Sequence, residues 1–333
     1  MTVVVVTDHI FAGLDREEAF AERIGAEFRA AQCITESEVI DVVRGANIAF
    51  VNFAPITSAV LEALAPGAVI IRYGVGWDNI DVLAADARGI SVCNVPDYGT
   101  TTVADHAVTL VLTLLRRVHQ FNEIISAGDW VKPSSQAPIL EFSRASIGLY
   151  GTGKIGLTVA ERLRTFGFTL LAYDPYANRE QLEELGISLV SVDELWRRSN
   201  LVTLHAPATP ATIGAVNAET IATMPRGSYI VNTARGALVD LVAVVDALGS
   251  GQLAGVGLDV FEPEPLPADH PIRAITSAIL TPHAAFYSES SMQNLQRLAV
   301  EEAQRAVEGV PLRCRVNHPE PYATAEIDQG LPS

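Results

Sequence analysis

No apolar run in this 333-residue chain reaches the ~18 residues that a membrane-spanning helix needs, so a membrane partner is not expected. Cysteine is scarce. Cys33, Cys93 and Cys314 stand alone, without a C-x-x-C pair or any metal-ligand spacing. That argues against disulfides and against a zinc site, and fits a reducing cytoplasm; no metal is expected. Positive charge is in deficit: 23 Lys and Arg against 39 Asp and Glu leave a formal charge of −16. Such a surface repels a phosphate backbone, so nucleic acid is not expected as a direct partner. A site for an anionic substrate must therefore build local positive potential from a few residues. The N-terminal TVVVVTDHI has no basic stretch ahead of its apolar residues and reads as a first strand rather than a signal peptide. Internal repeats and low-complexity segments are also missing.

What is present is most concentrated at residues 148–156, GLYGTGKIG. An apolar run, Ala145–Tyr150, enters a glycine turn, and a helical stretch, Ile155–Phe166, leaves it. A second apolar strand, Thr169–Ala172, is closed by Asp174, 18 positions after Gly156. Strand, Gly151-x-Gly153-x-x-Gly156, helix, strand and acid, in that order, are what a dinucleotide site requires. Gly151 allows the tight turn, Gly153 lets the backbone approach a pyrophosphate, and Gly156 lets helix and strand pack closely. The helix start (Thr152, Lys154, Ile155) offers free N–H donors and a positive dipole end. Asp174 would accept hydrogen bonds from the adenosine ribose and repel a 2′-phosphate, which favours NAD(H) over NADP; Arg179 keeps NADP as the lesser option. The same residues hold most of a P-loop, but Ile155 stands where the Mg²⁺-ligating Ser or Thr would be. An NTPase is disfavoured, and Lys154 reads as a solvated residue of the first helical turn.

Short apolar strands alternate with helical patterns throughout, which predicts parallel sheets covered on both faces. Before the glycine turn, strands are predicted near Val3–Val6, Ile48–Asn52, Ala68–Arg72 and Ser91–Asn94. Helices are predicted around Arg16–Cys33, Glu36–Gly45, Ser58–Leu64 and Val82–Arg88. A long apolar helix, Val103–His119, ends in Arg116, Arg117 and His119, and its apolar excess suggests packing against another domain or subunit. After the turn, strands are predicted near Ser188–Val190, Leu201–His205, Tyr229–Thr233, Gly255–Asp259 and Ala278–Thr281. The intervening helices are Val192–Arg198, Asn217–Thr223 and Leu238–Leu248, followed by a last long helix, Glu289–Glu308. The expected architecture is α/β, with two doubly wound parallel-sheet domains, a Rossmann-type nucleotide domain inserted in a flavodoxin-like substrate domain. The boundaries expected are 1–98 with 287–315 for the substrate domain, 99–286 for the NAD-binding domain, and a C-terminal tail over 316–333; from Pro311 the chain is expected to be loosely ordered or wrapped on the surface. The cleft between the domains is the expected active site.

Three ionisable residues follow apolar strands in the nucleotide half: Arg235 in IVNTARG, Glu264 in LDVFEPEP and His283 in LTPHAAF. In an open parallel sheet, the carboxyl ends of strands line the ligand crevice. Singly, each has a plain alternative as a surface charge, a solvated loop acid or a structural loop histidine. Their shared edge of the sheet argues for chemistry.

The chain resembles the NAD-dependent D-isomer-specific 2-hydroxyacid dehydrogenases, which include D-lactate, D-glycerate and phosphoglycerate dehydrogenases. The resemblance is carried by RYGVGWDNIDVLAADARGISVCNVP (72–96), TVADHA (102–107), GLYGTGKIG (148–156), LHAPATPAT (204–212), IVNTARGALVD (230–240), GVGLDVFEPEPLP (255–267) and LTPHAAF (280–286). It implies hydride transfer between NAD(H) and a 2-oxo or D-2-hydroxy acid, by a homodimer. The family's Arg, Glu and His fall on Arg235, Glu264 and His283, with Glu262 the nearby competitor for the acid. Arg235 would hold the substrate carboxylate and carbonyl as a bidentate, permanently charged fork. His283 would be the acid/base, and Glu264 would fix its tautomer. The amides of Val75 and Gly76, in the loop Tyr73–Gly76, resemble a second carboxylate clamp.

Thr102, His205, Ala206, Pro207, Thr212, Thr233 and Ala234 are implied to line the cofactor crevice, together with Arg235 and His283. Asp259 resembles the partner of the nicotinamide carboxamide, with a strand-to-loop cap as its alternative. His106 is expected to pack within the long helix. Asp105 replaces the glutamate common at its position in the family. Trp77, Asn52 and Phe53 are candidates for a pocket wall, with a core role as the equal alternative for Phe53, and Trp130 for a domain or subunit junction. The segment NIDVLAADARGISVCNVP is also similar to the C-terminal binding protein corepressors, which gives an NAD(H)-sensing binding protein as the alternative function. A formate dehydrogenase is disfavoured because that branch pairs its histidine with Gln. The long form of phosphoglycerate dehydrogenase is disfavoured because little sequence follows residue 310.

Overall fold

The structure, a computed structural model, describes residues 1–135 and 139–317. The chain divides into two units, Met1–Gly99 together with the segment from Ser288 onward, and Thr100–Tyr287.

The first unit is built on β1 (Val3–Val6), β2 (Glu27–Ala30), β3 (Ile48–Val51), β4 (Val69–Arg72) and β5 (Ser91–Cys93). Their order is β2-β1-β3-β4-β5, all parallel, the flavodoxin-like arrangement. The near-unbroken apolar strands VVVV and IAFV follow from burial on both faces. Period-2 alternation sends Val3 and Val5 into one core and Val4 and Val6 into the other. α1 (Asp15–Arg23), α2 (Glu36–Val43), α3 (Ser58–Ala63), α4 (Val82–Ala87) and α12 (Glu289–Glu308) complete the unit. From α12, Leu295, Leu298, Ala299 and Ala303 join the core that holds Phe20 and Tyr73.

The second unit has seven parallel strands: β6 (Ser146–Tyr150), β7 (Thr169–Tyr173), β8 (Ser188–Leu189), β9 (Leu201–Leu204), β10 (Ser228–Asn232), β11 (Leu253–Leu258) and β12 (Ala278–Leu280). The order β8-β7-β6-β9-β10-β11-β12 is the Rossmann order with a seventh strand added. Its helices are α5 (Thr100–Leu115), α6 (Val118–Ser126), α7 (Lys154–Leu163), α8 (Arg179–Glu184), α9 (Val192–Arg198), α10 (Ala218–Thr223) and α11 (Leu241–Ser250). The expectation of two doubly wound parallel sheets holds.

Several sequence readings are corrected. The stretch Arg16–Cys33 is not one helix: Gly25, at φ 64°, ends α1, and Glu27–Ala30 becomes an edge strand on β1. The helix expected over Val103–His119 breaks at Arg117, which is left-handed at φ 52° and starts α6. The arginines therefore sit at a helix junction rather than at the end of one dipole. The apolar face of α5 covers its own unit: Ala104, Ala107, Val108, Leu110, Val111, Leu114 and Leu115 are buried in one core with Ile147, Leu149 and Val231. α11 begins at Leu241 because the Asp240 carboxylate caps it, accepting from Val242 and Ala243 N–H. Of the two readings of the chain from Pro311, its described start follows the held one rather than the loose one: Arg315 bridges Cys93 antiparallel, and Val316 N–H donates to the Val92 carbonyl at 2.8 Å. Residues 318–333 of that tail lie outside the described residues. No helix among the described residues is long and apolar enough to cross a membrane.

Candidate active site

β6 and β9 are neighbours from which the strand order runs in opposite directions, the switch point at which such sheets bind ligands beyond their carboxyl ends. Gly151 leaves β6 at φ 99°, and a Cβ there would stand 2.9 Å from the Ala206 amide nitrogen and the His205 carbonyl carbon. A side chain on Gly156 would collide with the Gly151 carbonyl. Gly153, the N-cap of α7, faces open space, with nothing within 4 Å of a Cβ. A bare helix start facing open space is a cradle for phosphate. Lys154 is exposed on the first turn, followed by half-buried Ile155.

Asp174 closes β7, and its carboxylate is engaged in this loop. Oδ2 accepts the Thr152 N–H at 2.7 Å and hydroxyl at 3.0 Å, and Oδ1 accepts the Tyr176 N–H at 2.8 Å. His205 lies behind the loop, with its Cβ 3.4 Å from the position of a Gly156 Cβ. Its Nε2 is 3.0 Å from the Thr203 hydroxyl, and burial pushes its pKa down to about 3, so it is a neutral ring. Beyond Ala206, the Thr212 hydroxyl donates to the Pro207 carbonyl at 2.6 Å and accepts the Thr209 N–H, which shapes the loop. Thr102 lies in the first turn of α5. The buried Thr233 hydroxyl has no hydrogen-bond partner among the described residues. An orphaned buried hydroxyl after β10 and an open glycine cradle after β6, both at carboxyl ends of strands in one sheet, fit a polar ligand such as a dinucleotide.

Arg235 follows β10. Buried Asn232 braces this turn by accepting the Ala234 N–H and donating to the Arg235 carbonyl at 2.8 Å. The next residue must be glycine, because a Cβ on Gly236 would run into the Phe261 carbonyl and stand 2.6 Å from the Glu262 nitrogen. The backbone of Arg235–Gly236 is thereby pressed against the segment that carries Glu264.

His283 Nδ1 lies 2.8 Å from Glu264 Oε2, while Glu264 Oε1 accepts the Phe261 N–H at 2.9 Å. Burial alone would raise the Glu264 carboxyl pKa. The His283 hydrogen bond, the Phe261 amide and the charges of His283 and Arg235 outweigh it and hold the carboxyl below its ordinary value. With Glu264 ionised, Nδ1–H is the donor and Nε2 is left for other chemistry. Glu262 is exposed. Among the described residues, His283 is one of two non-glycine residues at positive φ, at 51°, a conformation that surrounding structure must impose.

Asp259 imposes it. Fully buried, it accepts the Ala284 and Ala285 N–H groups at 2.8 and 2.9 Å and the Thr281 hydroxyl at 2.5 Å. Its own carbonyl takes the His283 N–H at 2.7 Å. His106 is not confined to its helix, since Nε2 reaches the Thr281 hydroxyl at 3.1 Å and so ties α5 to this loop. Asp105 pairs with Arg162 of α7 at 2.6 Å. The supporting roles of Thr281 and His106 were missed from sequence. The only signal was a Thr two residues before His283.

Val75 and Gly76 belong to the other unit, on the loop after β4. Gly74, at φ 137°, is backed by the Arg72 guanidinium, and its carbonyl accepts the Val95 N–H at 2.9 Å. The Asn94 amide donates to the Val75 carbonyl at 2.7 Å. Val75 is exposed, and Trp77 packs on the core that contains Val3 and Val5. Phe53 is exposed beneath the Arg72 guanidinium, 5.7 Å from its ring centre. Asn52 is buried, and its N–H is held by Asp8 at 2.9 Å. Trp130 is 89% exposed. No metal-ligand cluster occurs among the described residues.

Residues 108–285 match the family described as D-isomer specific 2-hydroxyacid dehydrogenase, NAD binding domain. The chain is 35% identical over 287 residues to a D-3-phosphoglycerate dehydrogenase of Synechocystis sp., covering 86% of this chain and 51% of the relative. It is 36% identical over 249 residues to a glyoxylate reductase of Korarchaeum cryptofilum, covering 74% of this chain and 75% of the relative. A D-lactate dehydrogenase from Aquifex aeolicus, solved with NAD and lactic acid, superposes with a TM-score of 0.80 at 29% identity over 92% of this chain and 96% of its own. Against three of the D-3-phosphoglycerate dehydrogenases that it matches, the chain spans 51% to 60% of their length. With its Rossmann sheet, glycine loop and NAD-binding segment together, this chain belongs to the D-isomer specific 2-hydroxyacid dehydrogenase family.

Proposed function

We propose that the protein is an NAD(H)-dependent oxidoreductase that interconverts a 2-oxo acid and a D-2-hydroxy acid. The observation that carries this reading is the 2.8 Å His283–Glu264 pair, held in the same unit as Arg235 and the open glycine cradle. NADH, when bound, supplies a hydride to C2 of the oxo acid. His283 Nε2 gives a proton to the carbonyl oxygen, and in the reverse direction takes it from the hydroxyl. Glu264 keeps Nδ1 protonated and compensates the imidazolium charge. Arg235 holds the substrate carboxylate and polarises the carbonyl as a two-pronged donor. The resemblance further assigns the amides of Val75 and Gly76 to substrate binding.

For the cofactor, the residues assigned are the glycine loop from Gly151 to Gly156, Asp174, His205 to Pro207, Thr212, Thr233, Ala234, Asp259 and Thr102. NAD(H) is favoured over NADP because Asp174 presents a carboxylate, not a cation, after β7. The relatives are named for phosphoglycerate, glyoxylate and lactate. These acids share only the 2-oxo or 2-hydroxy carboxylate that Arg235 and His283 address.

The assembly we infer is a homodimer. Val118, Ile125 and Trp130 expose apolar surface on and after α6, which buries none of its residues. Light scattering should return twice the 35.6 kDa chain mass; a monomer would refute the assembly without touching the chemistry.

The direct test is NADH oxidation with a panel of 2-oxo acids (glyoxylate, hydroxypyruvate, pyruvate, phenylpyruvate), run on the parent and on His283→Ala. Turnover of at least one acid is expected, with a loss of about 10²-fold or more in the variant and NADH affinity nearly intact. NADH binding without turnover of any acid would point to a cofactor-sensing protein instead.

A further inference from the structure

Apart from the active site, the first unit carries a groove of about 570 Å³ between α1 and α12. Five arginines are among the residues that line it: Arg16, Arg23, Arg297, Arg305 and Arg313. The acidic residues in the lining are two, Glu301 and the buried Glu302. In a chain of formal charge −16, such a concentration of one sign is not a sample of the general surface.

The local structure brings these side chains together. Arg16 and Arg23 are two turns apart on α1, and Arg297 and Arg305 two turns apart on α12, so each pair shares a helix face. Gly309, at φ 66°, ends α12 and lets the chain turn back. The Arg305 Nε–H then donates to the Pro311 carbonyl at 2.8 Å, and the Cys314 N–H donates to buried Glu302 at 3.1 Å. That return places Arg313 at the groove.

The charges are poorly neutralised from within. Arg297 pairs with Glu301 at 2.6 Å, but Arg23 donates to the neutral Gln304 and Arg305 to a carbonyl. Among the described residues, no carboxylate lies within ion-pair distance of Arg16, Arg23, Arg305 or Arg313. Asp97 and Glu302 act on Arg313 only from farther away. Glu302 also has its Oε1 occupied by the Cys314 amide. Like charges brought into one concavity repel, and a multivalent anion removes that repulsion while accepting forked hydrogen bonds. The apolar part of the lining is aliphatic, from Ala19, Leu298 and Val300, with no aromatic residue for a base to stack on.

We infer that the groove between α1 and α12 binds a small non-aromatic polyanion carrying two or more phosphate groups. A volume of this size admits a sugar bisphosphate or a short inorganic polyphosphate. The site has a route to the substrate loop inside its own unit. Glu17, next to Arg16, accepts the Tyr73 hydroxyl at 2.8 Å, and Gln296, next to Arg297, donates to Glu17 at 3.2 Å. Tyr73 opens the Gly74–Gly76 loop, so an occupant bridging α1 and α12 acts as an effector through residues it does not touch.

Titration calorimetry on the whole chain tests this, with NADH at saturation to occupy the glycine loop. The probes are inorganic triphosphate and a hexose bisphosphate, with sulfate as the simple anion. Saturable one-to-one binding of at least one probe is expected. It should weaken about tenfold or more in Arg16→Gln and in Arg305→Gln, and stay unchanged in Arg44→Gln, an exposed arginine outside the groove. Arg16 makes no side-chain hydrogen bond among the described residues, and an unchanged urea midpoint in Arg16→Gln separates its loss of binding from unfolding. Failure of both probes to bind saturably, binding equal to that of sulfate, or binding that Arg16→Gln retains would each overturn the site. None of these outcomes depends on whether 2-oxo acids are turned over.

Discussion

Glu264 holds His283 with one oxygen and the Phe261 backbone with the other, at 2.8 and 2.9 Å, so the acid is itself oriented before it orients the imidazole. Glu264→Gln keeps the shape and an acceptor for the Phe261 amide but loses the negative charge. Its kcat should fall about tenfold to 10²-fold with little change in NADH affinity. The pair also leaves a mark on stability. A carboxyl whose folded pKa is depressed contributes stability above its unfolded value, here 4.5, and loses it as pH falls through the folded value. Because both side chains are about one-third exposed, the contribution is small. Melting curves of parent and variant should therefore differ slightly near neutrality and converge in acid. A gap that is constant with pH would mean that the charge is immaterial.

Gly236 and Gly153 make opposite predictions from the same substitution. A Cβ on Gly236 meets the Phe261–Glu262 backbone, which cannot step aside without moving Glu264. Gly236→Ala should cost roughly 1–3 kcal/mol in urea unfolding and depress turnover with it. A Cβ on Gly153 meets nothing. Gly153→Ala should leave stability within about 1 kcal/mol yet weaken NADH, since the space it fills is the phosphate cradle. Equal effects in the two variants would remove the assignment of the cradle.

The glycine loop was legible because every part of it is local: two strands, three glycines and an acid lie within 29 residues, from Ser146 to Asp174. Arg235, Glu264 and His283 could be placed on one sheet edge because each follows an apolar strand. What could not be read was support that arrives from far along the chain. His106 reaches Thr281 across 175 positions, and no pattern near either residue announces it. The break at Arg117 was hidden for another reason. Left-handed backbone is usually flagged by Gly or Asn, whereas an arginine there looks like the end of a helix. β2 escaped because Glu27, Phe28 and Arg29 are only half buried on an edge, without the apolar run that marked β1 and β3.

Asp174 is bonded to Thr152 by two hydrogen bonds, so Asp174→Ala does two things at once. It removes the acceptor proposed for the ribose and releases a residue of the glycine loop. The second effect weakens NAD and NADP alike, because both carry the pyrophosphate. The ratio of their dissociation constants therefore isolates the first. That ratio should shift toward NADP by about tenfold, as expected for losing hydrogen bonds to a charged acceptor and its repulsion of a 2′-phosphate. If both affinities fall in parallel, Asp174 is a loop clamp only.

Glu17 gives a pH dependence of the opposite sign. Burial raises its carboxyl pKa against the lowering pull of Tyr73, Gln296 and Arg16, and the net direction is upward. The folded protein then binds a proton more tightly than the unfolded chain. Stability is complete below 4.5 and declines as pH rises from there through the raised folded value. Glu17→Gln stays neutral throughout and still offers Tyr73 an oxygen. Relative to the parent, the variant should gain stability across that window and hold the gain at higher pH, as read from urea unfolding at several pH values. A difference that does not change with pH would show that the Glu17 carboxyl titrates in the fold as it does in water. The Glu17–Tyr73 bond would then be an ordinary charge-assisted contact under the Gly74 loop.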